Sequence, residues 1–417
     1  MNNVIRLFAV LATLLTFSFI TLSFSTFSAQ HDHKSMKMPM KGNKSISCVS
    51  NEIKCAKTMT TAFAPNGDLW RVWSTNQQMF YQVSSDLGKT FSSTKRVMIA
   101  PEKISARNEN RPKIAFDGQQ GVYLSWAMSG EKRFTADVRF SYSLDNGQSF
   151  SKPITINNDG YIAGHSFNEM IVTEQGEVTI VWLDGRYSYE QRLAGKKVNG
   201  SELYLAKGNP RKNIAFDNQA LARGTCVCCR ISMDNDSKGN LAVFWRHIFG
   251  DNIREFALLT LDSKRPNLAQ VKQISEDHWY IQGCPHQGGS VSIDKDNRYH
   301  LVWYNQGSKG KGIFYAYSDD AGKTKSTPLL IGDNERQAAH PNLKHTGDIV
   351  DIVWTEFNGK EHELWHQRSV DRGRTFALAK VISRSKTGAD RAFILSNGTK
   401  SIVSWQRPNT GHWISPL

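Results

Sequence analysis

Four cysteines stand in two short runs, Cys226-Val227-Cys228-Cys229-Arg230 and Gly283-Cys284-Pro285-His286. Thiolate and imidazole are ligands for soft and borderline metals, copper and zinc above all, although neither spacing matches a zinc finger. In an oxidising compartment the same sulfurs would pair as disulfides instead. Four cysteines allow three pairings, and sequence does not choose among them. A second soft-ligand group lies near the N-terminus, His31-Asp32-His33-Lys34-Ser35-Met36-Lys37-Met38-Pro39-Met40. Thioethers favour Cu(I), so Met36, Met38 and Met40, with His31 and His33, put copper ahead of zinc. The plainer alternative is a flexible, Lys-rich linker whose methionines are incidental.

A repeat must position these groups. Seven extended runs end in Trp: Trp73, Trp126, Trp182, Trp245, Trp303, Trp354 and Trp405, at steps of 53, 56, 63, 58, 51 and 51 residues. Their β-branched and aromatic content, with a turn on each side, makes them strands, and a step near 55 residues means stacked sheets. Counting back 17 residues from successive Trp positions reaches Glu109, His165, Cys228 and His286; 19 back reaches Cys226 and Cys284. Arg111 and Arg230 stand 15 back, His340 and Arg391 14 back. Side chains two apart on a strand share a face, so these groups are expected at one end of a central channel. The expected metal site is Cys228, His165 and His286, helped by Cys226 or Cys284. If the sulfurs are oxidised instead, equal height favours Cys226 with Cys284. A one-residue slip would turn any of these side chains to the other face.

A second motif falls between the Trp strands: Ser84-x-Asp86-x-Gly88-x-Thr90-Phe91, Ser143-x-Asp145-x-Gly147-x-Ser149-Phe150, Ser318-x-Asp320-x-Gly322-x-Thr324 and Ser369-x-Asp371-x-Gly373-x-Thr375-Phe376. Decayed copies lie near Ala206 and Thr260. The Asp can accept backbone N–H groups of its own turn, Gly supplies a positive φ, and Phe packs between sheets. No catalysis is assigned to it. With this motif the chain resembles the BNR or Asp-box, sialidase-like β-propellers over nearly everything after residue 55. The resemblance implies an all-β propeller of six or seven four-stranded antiparallel blades, with the last blade completed by the segment around Ser45 to Val49. It also implies an enzyme reading, an exo-sialidase-type glycoside hydrolase cleaving terminal acidic sugars, in which Arg111, Arg230 and Arg391 would hold a sugar carboxylate. The sequence departs from that family where chemistry is concerned. The aromatic-Arg-Ile-Pro signature before the first copy is absent, Asn110-Arg111-Pro112-Lys113 lies after it, and no Tyr/Glu pair is marked by a motif. The plainer reading pairs the arginines with Glu109 and other acids. A third class is a metal-free propeller binding carbohydrate or protein.

The remaining features set the context. Met1 to Ala29 reads as a secretory signal, with an uncleaved anchor as the alternative. A His/Met-rich linker at 30–45 and the propeller at 46–417 follow. An exported, periplasmic or extracellular protein can keep disulfides, and Cys48 with Cys55 is a candidate local pair. The chain has 417 residues, 39% of them hydrophobic, too apolar for a disordered protein. Its net charge of +14 suits an acidic glycan or an anionic protein partner. No basic stripe interleaved with aromatics marks nucleic-acid binding. No segment after the signal is apolar enough to span a membrane, and a monomer is expected.

Overall fold

The computed structural model describes residues 52–97, 100–262 and 270–417. The signal segment, the His/Met run, Cys48 and the segment at Ser45 to Val49 lie outside the described residues.

Antiparallel sheet dominates. β1 (Met59–Phe63), β2 (Leu69–Thr75), β3 (Gln78–Ser84) and β4 (Lys95–Arg96) form the first sheet. β5 (Lys113–Phe116), β6 (Val122–Ser129), β7 (Ala136–Ser143) and β8 (Ile154–Thr155) form the second. The third has β9 (His165–Val172), β10 (Val178–Asp184), β11 (Ser201–Asn209) and β12 (Ile214–Thr225); α1 (Arg186–Leu193) follows β10. The fourth has β13 (Ser232–Asn235), β14 (Leu241–Phe249), β15 (Ile253–Leu261) and β16 (Lys272–Gln273). A single pair, Thr225 opposite His247, joins these two sheets. The fifth has β17 (Ser290–Ile293), β18 (Tyr299–Gln306), β19 (Lys311–Ser318) and β20 (Leu329–Ile331). The sixth has β21 (Ala339–Thr346), β22 (Ile349–Phe357), β23 (His362–Ser369) and β24 (Lys380–Ser385). The seventh has only β25 (Phe393–Ser396), β26 (Ser401–Arg407) and β27 (Gly411–Pro416). The first strands touch in succession, and β25 lies beside both β21 and β1. Among the described residues, no helix is long and apolar enough to cross a membrane.

The Trp strand is the second strand of every sheet, and all seven indoles are at most 1% exposed. Each removes roughly 200 Å² from water, worth about 5 kcal/mol, so these side chains fix which face of each strand is core. Several indole N–H groups end on a carboxylate: Trp126 on Glu102 (3.0 Å), Trp182 on Asp184 (2.7 Å), Trp303 on Asp277 (3.0 Å) and Trp354 on Glu356 (2.8 Å).

The four Ser-x-Asp-x-Gly copies fold into one and the same turn after the third strand. In the second copy, Gly147 N–H donates to Ser143 Oγ (2.8 Å), Ser149 N–H and Oγ–H donate to the Asp145 carboxylate (2.9 and 2.6 Å), and Gly147 sits at φ +80°. The hydroxyl and amide donors hold the Asp145 carboxyl down at about 2. Phe150 then packs edge-on against Tyr81 of the preceding sheet, and Phe376 against Tyr315 in the same manner. The site near Ala206 differs: Ala206 is mid-strand, and the turn beyond it is closed by Asn209 accepting from Lys212 N–H.

Candidate functional site

The cysteine runs occupy the loops that enter β13 and β17, so both sit at the starting end of a first strand. Cys226 is pinned to the Trp strand of its own sheet, its N–H donating to Arg246 O (3.0 Å). The tight turn that follows brings three sulfurs together. Cys226 Sγ lies 3.8 Å from Cys228 Sγ and 3.7 Å from Cys229 Sγ, and all three residues are buried. The next sheet delivers Cys284 and His286 on a loop hung from Asn252, whose amide donates to Ile281 O (2.9 Å). The ligand atoms of Cys228, Cys284 and His286 all lie within 4.8 Å of one another. Cys228 therefore belongs to two triads, a buried one with Cys226 and Cys229 and an exposed one with Cys284 and His286.

Electrostatics distinguish the sulfurs. Hydrogen bonding with the Cys228 and Cys229 sulfurs, and the facing Arg246 and Arg254, hold the Cys226 thiol well below the ordinary range against burial. Arg254 Nη1 donates directly to Cys226 Sγ (3.2 Å). Hydrogen bonding with Cys226 pushes the Cys228 thiol up, and burial does the same to Cys229. Cys226, Cys228, Cys229 and Cys284 are free thiols, so the pairing of Cys226 with Cys284 is not formed. Cys55 is disulfide-bonded.

His165 does not join the sulfurs. It starts β9 opposite Asp184, and between Asp184 and Val181 the register shifts, with Phe167 at φ +56°. This bulge sets two residues of β9 against Trp182 and turns the strand's start away. The imidazole is fully buried; Nδ1 donates to Ala136 O (2.8 Å) and Nε2 to Asp159 Oδ2 (2.9 Å), with Asp184 Oδ1 at 3.7 Å. Both acceptors can only accept, so the ring carries both protons and offers no lone pair to a metal. Burial opposes that charge, but the Asp159 hydrogen bond and the Asp184 charge outweigh it and raise the pKa.

The three arginines line one cavity of about 840 Å³ with Lys113, Lys344 and Glu169. Two of the three guanidiniums are already engaged. Arg111 donates to Asp390 (3.0 Å) and to the carbonyls of Met59, Asn108 and Arg391. Arg230 donates to Gly289 O and Pro341 O, with Glu109 at 3.6 Å. Arg391 Nε is buried without a partner among the described residues. The cavity wall continues along the far ends of β5, β9 and β25 to the turn at Pro65 to Gly67, the opposite end from the cysteines. Lys113 is held by Glu169 (2.7 Å).

Glu109 lies between the two features. It accepts Gly288 N–H (2.9 Å) and Arg230 N–H (3.2 Å), and His340 Nδ1 is 3.6 Å away. Burial would raise its pKa, but Arg230, His340 and the Gly288 amide outweigh that and hold it below the carboxylate range. Gly288 must be glycine, because a Cβ there would stand 2.5 Å from Arg230 Cβ.

Sequence reasoning missed Cys229 as a member of the buried triad, Arg254 as the cation on Cys226, and Asp159 with Asp184 as the partners of His165. Only Cys229 carried a visible signal, its place in the Cys-x-Cys-Cys run.

No family model and no curated protein matches the chain. Solved structures resemble it in fold at low identity. An ulvan lyase of a new polysaccharide lyase family is 10% identical with a TM-score of 0.54, over 86% of this chain and 91% of that one. A protein of unknown function from Dyadobacter fermentans DSM 18053 is 14% identical with a TM-score of 0.53, over 77% and 96%. A Hadza microbial sialidase is 10% identical with a TM-score of 0.48, over 84% and 77%.

Proposed function

We propose that the chain is an exported soft-metal-binding propeller of seven blades that holds copper(I) at the cysteine–histidine cluster. Seven Trp strands, and the succession of first strands from β1 round to a β25 that again lies beside β1, support the blade count. The observation that carries the metal reading is the sulfur spacing. An ion held by three sulfurs at about 2.3 Å in a trigonal arrangement separates them by about 4 Å. Cys226 stands 3.8 and 3.7 Å from Cys228 and Cys229. A hydrophobic core has no need of three clustered thiols, and thiolate ligands with one imidazole suit Cu(I). The thioethers of Met36, Met38 and Met40 incline the reading to copper over zinc.

The test is chemical. Protein purified without reductant, then denatured and stripped of metal, is titrated for thiols, and copper and zinc are measured on the native form. Four thiols and stoichiometric copper, lost on Cys228→Ser, are expected. Six oxidised cysteines without metal would refute the reading.

A second reading rests on the cavity, whose wall carries five cations, Arg111, Arg230, Arg391, Lys113 and Lys344, against Glu169. It would take an acidic glycan. Calorimetric titration with a glucuronate or sialate oligosaccharide tests it, with Arg391→Met as the control; no heat from either sugar removes it.

A further inference from the structure

Resting on the copper reading above, we infer that the cluster holds two copper(I) ions in series, bridged by the Cys228 thiolate, the outer ion being the port for the inner. The inner ion takes Cys226, Cys228 and Cys229; the outer takes Cys228, Cys284 and His286. Both triads have ligand atoms within 4.8 Å of one another, and Cys228 is the one residue common to them. A thiolate sulfur has lone pairs enough to bridge two soft ions.

The two triads differ in access. Cys226, Cys228 and Cys229 are 1%, 4% and 2% exposed, so no external donor reaches the inner ion directly. Cys284 is exposed, as is His286. Cys284 and His286 also come from another sheet than the buried turn, on a loop tied to β15 by Asn252 and a single Ile253–Tyr280 bridge, and to Glu109 by Gly288.

Charge accommodates two ions. Four thiolates with two Cu(I) ions carry a net charge of two minus. Arg254, on Cys226 at 3.2 Å, and Arg246, which faces the same sulfur, supply two positive charges, which balance the doubly loaded cluster. Transfer is ligand exchange without redox change. As the outer ion moves inward, its bonds to Cys284 Sγ and His286 break and bonds to Cys226 and Cys229 Sγ form. The bond to Cys228 persists, copper stays Cu(I), and any thiol protons leave to water.

The experiment uses the full chain loaded anaerobically with Cu(I) through a competing chelator. Copper per chain is measured by elemental analysis, the Cu–Cu vector by X-ray absorption, and the release of copper to excess chelator by its absorbance. Two coppers per chain with a short Cu–Cu vector are expected. His286→Ala, an exposed change that spares the fold, and Cys284→Ser should each reduce this to one copper and abolish the vector, with slower exchange of the remaining ion. One copper in the parent protein, with stoichiometry and exchange unaltered in both variants, would overturn the two-ion port and leave the simpler metal site standing. No copper in the parent would remove the metal reading itself.

Discussion

Glu109 offers the sharpest test of how the sheets are held at the cysteine end. Its side chain is almost wholly buried and reaches across to the starts of the fourth, fifth and sixth sheets: Arg230 and its N–H, Gly288 N–H and His340. Glu109→Gln keeps the shape but removes the charge. The amide retains one acceptor oxygen for two N–H donors and turns an NH₂ group toward a donor or toward Arg230. Breaking a buried pair by removing one partner costs about 3–5 kcal/mol. Arg230 keeps its bonds to Gly289 O and Pro341 O, which places this variant at the low end, about 3 kcal/mol. Glu109→Ala orphans both donors, each worth about 1–3 kcal/mol, and should cost about 5 kcal/mol. Urea unfolding followed by tryptophan fluorescence reads this as a lower midpoint at unchanged slope. The sign with pH is also fixed. Because the folded pKa lies below the ordinary carboxylate value, the contribution is present above that value and is lost as pH falls through the folded pKa. The acid side of the stability curve should therefore flatten in Glu109→Gln. A variant within about 1 kcal/mol of the parent, with the same acid limb, would show that Glu109 is not the tie the geometry makes it.

Other outcomes follow from the same structure. His165, with a raised pKa, contributes stability that is complete below the ordinary imidazole value and is lost as pH rises through the folded value; His165→Gln should remove that alkaline loss in thermal melts from pH 6 to 9 while leaving copper content unchanged. Retained copper would place His165 outside the metal site, and lost copper would refute that placement. Gly147→Ala sets a Cβ 2.7 Å from Trp70 at φ +80°, and should cost about 2–4 kcal/mol by urea unfolding. Asp184→Asn takes the full charge from beside both the Trp182 indole and His165, and should lower the melting temperature by several degrees, more at pH 6 than at pH 9.

The repeat was legible because it is local chemistry. A Trp strand announces itself by composition, and the Ser-x-Asp-x-Gly turn satisfies its own donors within seven residues, so neither needs a distant partner to form. Spacing from the Trp also carried height: counting back along the chain set Cys228, Cys284 and His286 at one end of their sheets, where they meet. Direction was beyond such counting. His165 has the same spacing as Cys228, yet a bulge at Phe167 turns it into a pocket of acceptor oxygens from Ala136 and Asp159, which fixes it as a charged structural group. Arg111 and Arg230 have the spacing of ligand-binding residues, but the carbonyls that engage them come from other sheets, and no motif in their own segments foretells those. The bond pattern within a turn is decided by neighbours a few residues away. Which partner a buried polar group meets is decided by the packing of whole sheets.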